Sequence, residues 1–155
     1  METVVLLTSS LSLPLILLSA QALFLLRIIA SIKTWPATKT ERDLFGRLVV
    51  PLKILMNAIF VFILIIFTMV QVLVGSVFIT PVVATLVNVV ILFYFGWLFL
   101  SIRPEEVIDS TSTHPMIWAA FKNGTYAEKC VSWSYLPMQL GICLLIISWL
   151  IRRVL

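Results

Sequence analysis

Few residues in this chain have the type and spacing to do chemistry. The single histidine, His114, stands beside Pro115 with no cysteine or carboxylate at ligand spacing, whereas a metal site needs three or four converging ligands. No glycine-rich phosphate loop, nucleophile elbow or zinc-protease helix motif occurs, and those are the local arrangements that hold a phosphate, a strained serine or a catalytic zinc. The sequence therefore predicts no catalytic set, no metal and no cofactor. What it offers instead is a group of neutral polar side chains inside apolar segments: Gln21, Asn57, Thr68, Gln71, Asn88 and Gln139. In lipid such groups hydrogen-bond across helices and contribute about 0.6–2 kcal/mol each. Counted outward from position 78, Thr68 and Asn88 are each ten residues away, which puts them at equal depth in neighbouring helices and within reach of each other. Gln21 and Gln139 lie at compatible depths in the first and last apolar segments. Asn88, Thr68, Gln71, Gln21 and Gln139 are the expected helix and partner contacts.

The elements that position these residues follow from composition. Of 155 residues, 61% are hydrophobic and 12% charged, with a mean hydropathy of +1.13, against about 45–50% apolar and about 25% charged in a soluble domain. The chain is read as an all-α polytopic membrane protein. Charged residues punctuate it: Glu2 and Arg27 enclose one uncharged stretch, Lys53 and Arg103 a second of 49 residues, and Lys129 and Arg152 a third. The middle stretch is too long for one crossing and carries Gly75, Ser76, Thr80 and Pro81 near its centre, so it divides into a hairpin of two spans. The expectation is a single four-helix domain over 1–155, with spans at about 4–26, 54–75, 81–102 and 130–151. The first is read as a retained helix, because no Lys or Arg precedes it and it exceeds the apolar run of about 7–15 residues in a signal peptide. Pro14 and Pro137 fall inside spans, where each withholds one backbone donor, while Pro51 and Pro81 fall at span starts.

Orientation follows from basic residues. Nine of the eleven lie in segments 27–53 and 103–129, so the positive-inside rule assigns both loops to the cytoplasm and both termini to the lumen or exterior. The sequon Asn123-Gly124-Thr125 argues the other way, since it is usable only in a luminal loop. The net charge of +4 reports orientation, with no aromatic-interleaved basic stripe to suggest nucleic acid. The first loop holds six basic and two acidic residues and is expected to lie on anionic lipid. Within it, Thr40-Glu41-Arg42-Asp43 before Leu44, Phe45, Leu48, Val49 and Val50 reads as a short capped interfacial helix or a solvated linker. The second loop is net acidic, with Glu105, Glu106 and Asp109, and carries an apolar island of which Met116, Ile117, Trp118 and Phe121 are the expected cytoplasmic partner contact. Cys130 and Cys143 are 13 residues apart in one segment, roughly 20 Å along a helix, too far to bridge.

Several short stretches resemble the cornichon family of secretory-pathway cargo receptors. Ile28-Ile29-Ala30 resembles the end of that family's first helix, Leu48-Val49-Val50-Pro51 the Leu-Val-x-Pro opening its second, Asp109-Ser110-Thr111 an Asp-x-Thr of its last loop, and Lys129-Cys130 the basic entry to its fourth helix. Ser31 to Pro36 replaces the family's acidic stretch, and Leu144 to Ile147 its Tyr/Phe-rich final helix. The resemblance implies recognition of membrane cargo by helix contacts and a location in the endoplasmic reticulum and secretory pathway. A second likeness, in size, four-helix layout and the stretch Ser9 to Pro14, is to the small microsomal glutathione transferases and eicosanoid-synthesising enzymes. It implies Lys53 and Asn57 as glutathione-holding positions assisted by Tyr94 and Arg103, with Phe60 where that family has a carboxylate. A third reading is a homo-oligomeric channel. The favoured expectation is a non-enzymatic protein that binds integral membrane proteins through its helices, in an oligomer or hetero-complex, as cargo receptor or accessory subunit.

Overall fold

The computed structural model describes residues 2–103 and 126–154. Among them every regular element is helical: α1 (Glu2–Lys33), α2 (Lys39–Phe45), a 3-10 turn (Gly46–Leu48), α3 (Val49–Gly75), α4 (Pro81–Leu100) and α5 (Tyr126–Val154). α1, α3, α4 and α5 are each long and apolar enough to cross a bilayer, so the protein is an all-α chain of four candidate spans. The apolar island Met116, Ile117, Trp118 and Phe121, together with His114 and the Asn123 sequon, lies outside the described residues.

The helices overrun the charged residues. α1 continues through Arg27 to Lys33, because a charge marks the edge of hydrocarbon rather than the end of a helix. It stops before Trp35-Pro36, since proline disfavours helical geometry in the residue before it. α3 and α4 form the expected hairpin. Ser76 closes the last turn of α3 through its amide to Val72 O at 2.9 Å, and Phe78 and Ile79 amides both reach Gly75 O at 3.0 Å. Thr80 is extended and Pro81 opens α4, where the missing N–H costs nothing. A Cβ on Gly75 would sit 3.2 Å from Ala84 Cβ, so the hairpin legs meet closely at the turn.

α1 is the centre of the bundle. It packs against α5 most extensively, then α3 and α4, whereas α4 and α5 touch little. Its face toward α5 is a column spaced by sevens, Val5, Ser12, Ser19 and Leu26, all buried. α5 answers with Ser134, Gly141 and Ser148, also seven apart and buried. The two columns pair antiparallel. Ser19 Oγ donates to Ser134 O, a Cβ on Gly141 would meet Ser12 O at 2.8 Å, and Ser148 Oγ reaches Val5 O at 3.4 Å. Small residues at these positions let two backbones approach, which is how helices gain dispersion energy in lipid, where no hydrophobic drive between them exists.

Polar residues elsewhere in α1 are satisfied locally. Thr8 Oγ1 donates to Val4 O at 2.8 Å, Ser9 Oγ to Leu6 O at 3.1 Å, Ser10 Oγ to Leu7 O at 3.1 Å and Ser12 Oγ to Ser9 O at 2.6 Å. Such back-bonding to the preceding turn lets serine and threonine sit in a membrane helix. At the other end of the bundle, Ala22, Leu26, Phe95, Phe99, Ile102, Cys130 and Val131 form an apolar core of α1, α4, α5 and the segment after α4. Cys130 is buried and Cys143 exposed, both as free thiols.

The glycines give a paired prediction. Gly141→Ala should lower the melting temperature in detergent, because the new methyl meets backbone at 2.8 Å and overpacking costs about 1–3 kcal/mol. Gly96→Ala should be neutral or stabilising, since its Cβ would meet only Leu25 Cδ2 at 3.9 Å and alanine gains up to about 1 kcal/mol in helix propensity.

Candidate functional site: a polar cluster inside the bundle

Gln21 is fully buried on α1, facing α3 and α4. Its Nε2 donates to Thr68 Oγ1 of α3 at 3.1 Å and to Asn88 Oδ1 of α4 at 3.3 Å. Thr68 and Asn88 are thus joined through Gln21 rather than directly, and one amide ties three helices together. Thr68 keeps its own proton for Leu64 O at 2.8 Å, which leaves its oxygen free to accept from Gln21. One turn along α3, Gln71 Nε2 donates to Pro14 O at 3.0 Å, the carbonyl of the proline that itself withholds an N–H from the α1 ladder. The Oε1 atoms of Gln21 and Gln71 are both buried without a hydrogen-bond partner among the described residues. Phe24 fills the space between α1 and α3, with its ring 5.6 Å from those of Phe60 and Phe67.

Ser19 forms a second polar joint. Its Oγ accepts from the Met138 amide at 3.1 Å while donating to the Ser134 carbonyl. Those two α5 groups are four residues apart and bond to each other in an unbroken helix. A hydroxyl of α1 is therefore inserted into the α5 ladder, next to Pro137, whose missing N–H already interrupts it. Ser134 Oγ turns back to Cys130 O at 2.8 Å.

Gln139 does not join the cluster. It is exposed on α5, although its depth matches that of Gln21. The reason is rotation: it stands two residues before Gly141, which turns it about 200° away from the α1-facing column. Among the described residues its side chain has no hydrogen-bond partner.

A third set of contacts fixes the loop at the other end. Lys53, buried at the start of α3, donates to Thr34 Oγ1 at 2.8 Å, Thr34 O at 3.1 Å and Glu41 Oε2 at 3.2 Å. α2 is a short capped helix, but its cap is Thr38 rather than Thr40, which lies inside it. The Glu41 amide donates to Thr38 Oγ1 at 3.2 Å and the Thr38 amide to Glu41 Oε2 at 2.7 Å, a reciprocal capping box. Lys33 donates to Leu100 O and to Ile102 O at 2.7 Å, and Tyr126 Oη to Leu98 O at 3.0 Å, so the last carbonyls around the end of α4 are satisfied from α1 and α5. Of the positions implied by the glutathione-enzyme likeness, Lys53 is engaged with Thr34 and Glu41, Asn57 is half-buried on α3, and Tyr94 and Arg103 are exposed.

Sequence reasoning named Gln21, Thr68, Gln71 and Asn88, and it missed Ser12, Ser19, Ser134 and Ser148. The signal was present in their seven-residue spacing, readable as two complementary small-residue columns. Comparison with known proteins finds no matching family model, no matching curated protein and no matching solved structure.

Two outcomes test these joints. Gln21→Leu should destabilise the bundle by about 0.6–2 kcal/mol, and a double-mutant cycle with Asn88→Leu should show coupling, whereas Gln139→Leu should leave the melting temperature unchanged. Lys53→Met removes a charged hydrogen-bonded group worth about 1.5–3 kcal/mol, so tryptic cleavage at Lys39, Arg42 and Arg47 should accelerate about ten-fold or more.

Proposed function

We propose that this chain is a non-enzymatic membrane protein that binds other integral membrane proteins through its helices, as a cargo receptor or an accessory subunit of a complex. The observation that carries the reading is Gln139. It sits near the middle of α5, 11 residues beyond Glu128 and 13 before Arg152, and its amide faces outward with no hydrogen-bond partner among the described residues. An amide left in hydrocarbon without a hydrogen bond costs several kcal/mol, and a polar group on a neighbouring helix removes that cost. Such a residue marks a face that another helix covers.

The outer face of α3 agrees with this. Its most apolar window contributes nothing buried to the bundle, so it is available to lipid or to a partner span. The basic first loop supplies a membrane-surface contact: Leu44, Phe45 and Leu48 are exposed beside Lys39, Arg42 and Arg47, a combination suited to an anionic leaflet. With this loop cytoplasmic, both termini are luminal, in keeping with the cornichon-like secretory-pathway reading and residence in the endoplasmic reticulum. Met116, Ile117, Trp118 and Phe121 are proposed as the cytoplasmic partner contact.

The test is purification in mild detergent from native membranes, with mass determination of the intact complex. A stoichiometric membrane partner is expected, and Gln139→Leu should release it without lowering the melting temperature. A pure homo-oligomer that turns over glutathione or conducts ions in liposomes would overturn the proposal.

A further inference from the structure

At the end of the bundle where α1 begins and α5 ends, a crevice of about 440 Å³ is lined by Ser9, Leu145, Ile146, Ser148, Trp149 and Arg152. That volume lies within the range of about 300–1,000 Å³ that small-molecule sites occupy. Leu145, Trp149 and Arg152 follow at i, i+4 and i+7, so they share one face of α5. From Leu145 to Arg152 is about 10 Å along the axis. The crevice is therefore apolar at its deep end, has an indole midway and a guanidinium at its mouth, which is the polarity sequence of a membrane from acyl chain to headgroup.

The polar groups at the mouth are not equally free. Ser9 Oγ donates to Leu6 O at 3.1 Å and Ser148 Oγ to Val5 O at 3.4 Å. Arg153 lies over the Trp149 ring at 4.8 Å. Arg152 has no ion pair, hydrogen bond or ring contact to the described residues, and its planar fork suits two oxygens of a phosphate.

We infer that this crevice is a phospholipid site, with one acyl chain along Leu145 and Ile146 and the phosphate on Arg152. It is independent of the partner face around Gln139, which points away from α1.

Delipidated full-length protein in detergent is titrated with dioleoyl phosphatidylglycerol, with dioleoylglycerol and with inorganic phosphate, and bound ligand is read by native mass spectrometry. One phospholipid should bind saturably, at least about ten-fold more tightly than the diacylglycerol, which lacks the charge-assisted bond. Arg152→Gln should abolish that difference, and Ile146→Trp, which fills the crevice, should weaken both lipids. Leu145→Trp serves the same purpose if the Ile146 variant melts early. Equal binding of both lipids by wild type, or phospholipid binding unaffected by Arg152→Gln and by the crevice-filling variant, overturns the proposal in favour of a nonspecific lipid annulus. Competition by inorganic phosphate also overturns it, by making the site one for free anions.

Discussion

The Ser19 hydroxyl, held between the Ser134 carbonyl and the Met138 amide, fixes the register on which the bundle depends. In water a helix pair is driven together by burial of apolar surface, but in lipid the tails are as apolar as the side chains and that drive vanishes. What remains is close backbone approach and polar groups that bond nowhere else. Once Ser19 is seated in the α5 ladder, Ser12 falls on Gly141 and Val5 on Ser148 because both columns advance by seven. A bulky residue in place of Ser12, Ser19 or Gly141 would hold the helices apart and break the joint.

With α5 set on one side of α1, the opposite side is left for the hairpin. There the constraint is satisfaction rather than space. Gln21 brings two donors and one acceptor into a buried position, and Thr68 and Asn88 accept both donors. Gln71 reaches across to Pro14 O, and Phe24 is clasped between Phe60 and Phe67. At the other end, Lys33 and Lys53 draw helix ends and loop together by donating to carbonyls of Leu100, Ile102 and Thr34. Among the described residues α1 thus packs most extensively against the other spans, and α3, α4 and α5 expose their outer faces to whatever surrounds them. Gln139 and Arg152 stand exposed on α5 with no hydrogen bond or ion pair to the described residues, among mostly apolar side chains.

Much of this was legible in the residues. Charge gaps locate the four spans, Pro81 after a glycine-containing turn locates the hairpin, and the equal distance of Thr68 and Asn88 from its tip places them at one depth, although they are joined through Gln21 rather than to each other. The helix ends were less legible, since Arg27 lies well inside α1 and only Pro36 stops it. The mediator between Thr68 and Asn88 was hidden as well: depth can be counted along a helix, but which face Gln21 presents depends on packing that no single segment encodes. Gln139 shows the same limit, because its depth suggests a partner on α1 and its rotation denies one. The serine columns were readable in principle, by comparing the seven-residue period of the first segment with that of the last.

Cysteine cross-linking in native membranes tests the central claim most directly. In a background with Cys130 and Cys143 replaced, Ser19→Cys with Ser134→Cys should form an intramolecular disulfide under mild oxidation. Ser12→Cys with Ser134→Cys, displaced by one seven-residue step or about 10 Å, should not. Equal cross-linking of both pairs, or efficient cross-linking of the displaced pair alone, would contradict the register and with it the account of α1 as the central helix.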